Sequence, residues 1–476
     1  MDLIRRLIHR PQPNLLSGPL WRGILVLALP VIGAQILQSA QFLVDMFFVG
    51  KLENGAQAVA AIGMSRRIHW VVMTLLIGTQ AAAVAVVSRA IGARDTRRAS
   101  HVAGQVMVLA ILFSLVVTPL GVIFSDEALQ VFGAEEEVVN MAVGYLRIIF
   151  GGIFGLITMI LLTAVFHGTG DTITPLLLGI GTTIVNLTLN PILIFGLLGM
   201  PALGVRGSGV ATIIAAGSMS VVAFVLFLRG RSGVKLHLRD FVPRVPTLWR
   251  LLVIGVPASM NTSLLAVMQM MLMAIITKFG TVVLAAYAVG SQVRMTGMLP
   301  IFGFAAATST TVGQNLGAHQ EQRAMRSGWT GMGMALAGSF VMATIMFLFG
   351  GQLTAIFNDD PEVVAAGAHF LGVTALAMAI APVFGVLGRA MSGAGDTTSP
   401  LLINLCCRWG IQIPVAILLS GIHELWGVAI PFREALGDRL VFDESGIWYA
   451  TVLAAVLQSV IVMAWYTTGR WKHRKV

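Results

Sequence analysis

Long apolar runs separated by short charged or Gly/Pro-rich breaks fill this chain from one end to the other. They fall at roughly 22–49, 56–88, 100–124, 137–166, 174–198, 204–228, 249–278, 281–312, 327–349, 362–391, 399–421 and 446–468. A helix rises ~1.5 Å per residue and a hydrocarbon core is ~30 Å thick, so about 20 apolar residues suffice to cross it. The pattern predicts an all-α polytopic membrane protein with twelve transmembrane helices.

The first run, Trp21 to Lys51, carries a carboxylate, Asp45, about one turn from its far end. An acid at the centre of a membrane helix costs ~2.5 to 3.5 kcal/mol on insertion scales, which marks it as a functional candidate. Among all Asp and Glu residues, Asp45 alone lies clearly inside apolar sequence. Pro30 in the same run removes a backbone hydrogen bond and invites a bend. A bendable helix with a titratable group suits an ion-driven switch.

Composition agrees: 57% of the 476 residues are hydrophobic and 11% charged, with a mean hydropathy of +0.86. Those values exclude a soluble enzyme. The basic start, with Arg5, Arg6 and Arg10, precedes a run too long for a signal-peptide core, so the first helix is expected to stay attached. Lys and Arg concentrate in alternate loops: Arg89, Arg94, Arg97 and Arg98, then Arg229, Arg231, Lys235, Arg239, Arg244 and Arg250, then the C-terminal tail. The intervening loops hold SDEALQVFGAEEE and NDDPE. The positive-inside rule therefore places both termini in the cytoplasm and Asp45 towards the exterior.

A net charge of +10 could suggest nucleic acid, but the basic residues are juxtamembrane anchors, so no nucleic-acid partner is expected. Cys406 and Cys407 are adjacent within an apolar run and suit neither a disulfide nor a metal site. The sequons at Asn186 and Asn261 fall inside spans, out of reach of glycosylation.

The chain is duplicated. GTGDTITPLL at 168–177 returns as GAGDTTSPLL at 393–402, 225 residues on, and IGARDTRRA (91–99) returns as LGAHQEQRA (316–324) at the same offset. Nearer the start of each half the offset is 227, pairing Pro30 with Pro257 and Arg67 with Arg294. Six spans per half is an even number, so the halves share one orientation and form two six-helix lobes related by a parallel internal repeat. The N-lobe is assigned to 1–228, a cytoplasmic linker to 229–250 and the C-lobe to 251–476. Asp45 aligns with Leu272, so any coupling chemistry belongs to the N-lobe. A cavity between rocking lobes is the architecture of a transporter.

Asn186 and Asn190 lie one helical turn apart and present two amides on one face, beside Pro191. Helix–helix hydrogen bonding accounts for such a pair as well as ion binding does. Thr212 follows Gly207 and Gly209, where close helix packing alone explains it. The two Gly-Asp-Thr turns lack the ending of a phosphate loop; Asp171 and Asp396 read as helix caps. Arg66, Arg67, Arg294 and Arg408 lie in or near spans and need partners or water. A methionine run with Met268 and Met271, followed by Met295, suits either a core or an adaptable substrate wall. No His-Glu-x-x-His motif or paired acids suggest an enzyme.

ALPVIGAQ followed by FLVDMFFVGKL, then LAAYAVGSQVRM, TVGQNLGAHQEQRA, both Gly-x-Gly-Asp-Thr turns and the duplication together resemble the multidrug and toxic compound extrusion (MATE) transporters, in particular the bacterial DinF-like branch. The resemblance covers nearly the whole chain. It implies a monomeric inner-membrane antiporter that expels organic cations, drugs or other amphipathic small molecules in exchange for H⁺ or Na⁺, contributes to antibiotic resistance and uses no cofactor. The ion site would map onto Asp45, Asn186, Asn190 and Thr212, with bending at Pro30 and a possible substrate wall at Met268, Met271 and Met295. Many relatives have Asp where this chain has Asn190, and the acids some relatives carry in the seventh and tenth helices are missing from 257–273 and 371–391. A lipid-linked-precursor flippase of the wider superfamily is the alternative; it would be expected to show extra C-terminal helices and a cationic cavity.

Overall fold

In the computed structural model, which describes residues 14–422, 424–425, 428–429 and 442–474, the apolar runs are helices. Helices α1 (Leu20–Gly50), α2 (Gly55–Gly92) and α3 (Thr96–Ile123) are followed by a pair, α4 (Glu136–Gly151) and α5 (Ile153–Thr169), bent by 55°. Helices α6 (Ile173–Phe195) and α7 (Val205–Leu228) complete the N-lobe. The C-lobe holds α8 (Val245–Ile276), α9 (Thr281–Gly297), α10 (Leu299–Gly317), α11 (Glu321–Ala355) and α12 (Pro361–Gly393). Its eleventh run starts as α13 (Thr398–Asn404), widens into a π-helix over Leu405–Gln412 and ends as α14 (Ile413–Leu419). The last helix is α15 (Asp443–Thr467).

Among the described residues eleven helices are long and apolar enough to cross a membrane, and the bent α4–α5 pair makes a twelfth. Large apolar side chains such as Leu115, Phe340 and Phe347 point outward and are exposed; a hydrocarbon surrounding covers them. Apart from a two-residue antiparallel ladder, Glu424–Leu425 with Val428–Ala429, the described chain is helical between its turns. The tail arginines Arg5, Arg6 and Arg10 and the final Lys475 lie outside the described residues.

The duplicated turns fold alike. Gly170 and Gly395 both sit at φ 88, a left-handed conformation that glycine adopts without strain. The next residue then caps the following helix. Asp171 accepts from the backbone N–H and the hydroxyl of Thr174 (2.9 and 2.7 Å), and Asp396 from those of Ser399 (3.2 and 2.6 Å). Each acid also receives a cation from the segment that follows its lobe's last span: Arg231 lies 3.8 Å from Asp171 and Arg474 lies 3.6 Å from Asp396.

The linker is fastened to the N-lobe. Irregular chain runs only from 229 to 244, because α8 begins at Val245. Ser100 accepts from the backbone of Lys235 at 3.0 Å, while the Gln105 amide donates to the carbonyls of Asp240 and Val242 and accepts from the Arg244 N–H, each at 2.8 Å.

Contacts between the lobes lie in the half of the bundle that carries the termini. Ser259 on α8 donates to the Leu75 carbonyl at 2.6 Å, Thr310 on α10 donates to that of His167 at 2.9 Å, and Arg89 donates to those of Ala394 and Arg474 at 2.8 Å. Leu15, Ile24, Leu27 and Ala28 form one apolar cluster with Ala307. In the other half each lobe closes on its own core, around Val49, Ile62 and Ile194 in one and Met268, Leu272 and Ile275 in the other. The lobes diverge towards that end.

At this seam α2 and α8 approach so closely that a Cβ on Gly78 would collide with the carbonyl of Gly255 and the Ser259 hydroxyl. Overpacking of this kind costs about 1 to 3 kcal/mol. Gly78→Val should therefore push the lobes apart on the termini side. Spin labels at Arg97 and Gln322, with Cys406 and Cys407 replaced by serine, should report a longer distance than in the parent protein; an unchanged distribution would show that the close approach constrains nothing.

Candidate functional site

Asp45 lies in the diverging half of the N-lobe, half-buried on α1 and facing α6. The Asn190 amide donates to Asp45 Oδ1 at 2.5 Å and to Asn186 Oδ1 at 3.1 Å. Asn186 in turn donates to the Thr212 hydroxyl on α7 at 3.4 Å. Both asparagines are completely buried. The four residues singled out from the sequence thus form one chain of hydrogen bonds across α1, α6 and α7. The one-turn spacing of the asparagines on α6 lets a single helix face bridge the other two helices.

The donor set contains only oxygen ligands: a carboxylate, two amide carbonyls and a hydroxyl. Asn190 Oδ1 is shielded from solvent and accepts no hydrogen bond, and an orphaned buried acceptor beside a carboxylate suits a small cation or a protonated carboxyl. Among the described residues no cluster of three His, Cys, Asp or Glu side chains could hold a metal. Any metal ion bound at the site would depend on neutral oxygens for most of its ligands.

Three neighbours were not assigned to the site from the sequence. Gln41 accepts from Thr183 at 3.3 Å, a second tie between α1 and α6. The Arg66 guanidinium lies 3.5 Å from the centroid of the Phe42 ring and within electrostatic reach of Asp45. Gln41 and Phe42 precede Asp45 by four and three residues, the spacing of one helix face, and that spacing is the signal that could have found them.

Pro30 sits where α1 changes partners. Below it, Ile24, Leu27 and Ala28 pack with the C-lobe residue Ala307, and Ile32, two residues past the proline, still sits against Gly303 of α10. Above it, Gly33 and Leu37 approach Leu176 and Gly179 of α6. The helix itself continues unbroken through the proline.

Met268 is buried in the C-lobe core, Met271 packs half-buried against it, and Met295 is 57% exposed.

The sequence matches the MatE family over residues 30–192 and again over 257–418, one stretch in each lobe. It is 26% identical over 464 residues to a probable multidrug resistance protein NorM of Thermotoga maritima, covering 96% of this chain and 94% of the relative. It is 25% identical to an FAD transporter of Shewanella oneidensis, over 90% of this chain and 94% of that one. The fold superposes with a TM-score of 0.84, at 20% identity, on the outward-facing conformation of a multidrug resistance MATE family transporter of the MOP superfamily, covering 96% of this chain and 98% of that one. With a family match in both repeats and twelve spans in two lobes, this chain belongs to the MatE family of membrane transporters and is not an enzyme.

Proposed function

We propose that the protein is a secondary antiporter of a bacterial inner membrane, exporting organic cations, drugs or other amphipathic small molecules in exchange for H⁺ or Na⁺ bound at Asp45. The observation that carries this reading is the Asp45–Asn190–Asn186–Thr212 chain. It holds a membrane-embedded carboxylate beside an unpartnered amide oxygen, in the half of the protein where the lobes part. The relatives named for multidrug resistance and FAD transport support export of a small organic substrate. The distribution of basic loops supports cytoplasmic termini, so that the diverging lobes face outward.

In this scheme an ion entering from outside neutralises Asp45 and changes how α1 holds α6. Because α1 joins the C-lobe below Pro30 and the N-lobe above it, a change at Asp45 reaches the seam along one helix. Rocking of the lobes then exposes the cleft to the cytoplasm for substrate loading.

Asp45→Asn should insert normally and lose gradient-driven export. Dye efflux from reconstituted vesicles, with the pH and sodium gradients imposed separately, measures this; wild-type export by the variant would remove Asp45 from the mechanism. Whichever gradient drives the parent protein identifies the ion.

Pro30→Ala supplies the missing backbone donor to the Val26 carbonyl, in a position where an interior proline costs ~3 kcal/mol of helix stability. The stiffer α1 should narrow the distance distribution between spin labels at the outer ends of α1 and α9. A distribution that responds neither to ion nor to mutation would make the proline purely structural.

With a single carboxylate, one ion is coupled per cycle. Exchange for a monovalent cation then moves no net charge, while a neutral substrate leaves one charge crossing, worth ~2.3 kcal/mol per 100 mV. In inverted vesicles under a clamped diffusion potential, a monovalent cationic dye should be insensitive to voltage and a neutral one sensitive. Asn190→Asp should make the cationic dye voltage-driven; voltage-driven pumping of that dye by the parent protein would require a second ion.

A further inference from the structure

The C-lobe spans contain no acid beyond the first turns of α11, α12 and α15, yet two arginines sit near their mid-depth. Arg294 lies 13 residues into α9, about 20 Å along the helix, and Arg408 lies 10 residues after the start of α13, about 15 Å along. Both are half-buried. From that depth in a ~30 Å hydrocarbon layer neither side chain reaches either membrane face along its own helix.

Among the described residues neither arginine forms an ion pair. The Arg294 side chain makes no hydrogen bond there; its guanidinium lies 6.0 Å from the centroid of Phe370, a ring held edge-on by Tyr287 (5.6 Å) and Trp448 (4.7 Å). Arg408 donates once, from Nη1 to Gln412 Oε1 at 2.8 Å, and Gln412 donates onward to Thr451 at 3.0 Å. Its Nε is shielded from solvent and has no acceptor. The two guanidiniums lie within electrostatic reach of one another. Like charges without a counterion are costly in a membrane-embedded protein. Arg408 also occupies the π-helix Leu405–Gln412, a widened geometry that recurs at functional sites.

We propose that Arg294 and Arg408 form a substrate subsite for an anionic group, a carboxylate, sulfonate or phosphate, of the amphipathic molecule this protein exports. Each guanidinium carries five donors in a planar fork, and nearly all are free for a bidentate oxyanion. Met298, one turn from Arg294 and half-buried, supplies adjoining apolar surface. The substrates are then acids or zwitterions as well as cations. Binding at this subsite is independent of Asp45, although its role in export rests on the antiport reading above.

The test is equilibrium binding of two pyrene probes of opposite charge, pyrenebutanoate and a pyrenyl trimethylammonium, to the full chain in phosphatidylcholine nanodiscs, read by fluorescence anisotropy against empty discs. The parent protein should prefer the anion by about tenfold or more. Arg294→Ala and Arg408→Ala should each erase most of that preference and leave the cation unaffected or tighter. Arg294→Lys and Arg408→Lys should retain much of it, and Asp45→Asn all of it. The Arg294 side chain makes no hydrogen bond within the described protein, so Arg294→Ala carries the test even if Arg408→Ala fails to fold. An anion bound equally by the parent and Arg294→Ala, or no preference in the parent, overturns the subsite. Phosphatidylglycerol that displaces the anion and is retained only by the parent protein would assign the arginines to a lipid headgroup and overturn the substrate role. No anion preference in the parent protein, with its Asp45-dependent export intact, defeats this inference alone. Retained preference with export indifferent to Asp45→Asn defeats only the coupling reading.

Discussion

A carboxylate inside an apolar helix has no water to lean on, so the protein must supply its partners. At Asp45 the supply is a buried amide, Asn190, which itself leans on Asn186 and through it on Thr212. Such a chain fixes the relative placement of α1, α6 and α7, because a missing link would leave a buried polar group unpaired at a cost of ~1 to 3 kcal/mol. The site adds a polar tie to the apolar contacts that join the half of α1 beyond Pro30 to the N-lobe. Among the described residues the half before Pro30 has no such tie within the helix and packs by apolar contact against α10.

The division of α1 gives the two lobes a shared element. Below Pro30 the helix is part of the seam between lobes, and above it the helix carries Asp45. The seam itself depends on close approach, with Gly78 against Gly255 and the carbonyls of Leu75 and His167 taking donors from the opposite lobe. Tight packing of this kind has two discrete arrangements more readily than a continuum, since interdigitated surfaces either fit or separate. The linker contacts fasten 229–244 to the N-lobe, and the Asp171 and Asp396 turns each join neighbouring helices within one lobe.

The sequence displayed the spans, the duplication and the lone intramembrane acid plainly, because membrane-length runs, a long repeat and a single buried carboxylate each carry a strong one-dimensional signal. Asn186, Asn190 and Thr212 joined Asp45 only through the family resemblance, since their spacing fits helix packing equally well. The capping roles of Asp171 and Asp396 were equally legible from their place after glycine and before the next helix. What stayed hidden depends on three-dimensional placement. The bend between α4 and α5 falls at Gly151–Gly152, a glycine pair that permits a kink inside an apolar run but does not fix its angle, and the π-helix around Arg408 leaves no mark in composition. Arg231 and Arg474 reach the two turns from segments far away in sequence. Met268 was a candidate wall because its spacing could not tell an inward face from a cleft, and it lies in the C-lobe core.

The lobes therefore divide their charge at mid-depth: the N-lobe site holds an acid among neutral oxygens, and the C-lobe holds two guanidiniums with no ion-pair partner among the described residues. A substrate anion at the C-lobe pair alters the energetics of exchange. One positive ion moving inward while one negative substrate moves outward transfers two charges in the same electrical sense, so the membrane potential contributes about twice the ~2.3 kcal/mol per 100 mV available to a single charge. For a zwitterion the contribution is that of the ion alone, and for a monovalent cation it vanishes. A single carboxylate thus suffices to drive acids strongly without a second coupling ion. The neutral Asn190 fits the proposed anion subsite, since a second acid there would add driving force for cations while placing another negative charge in the cleft.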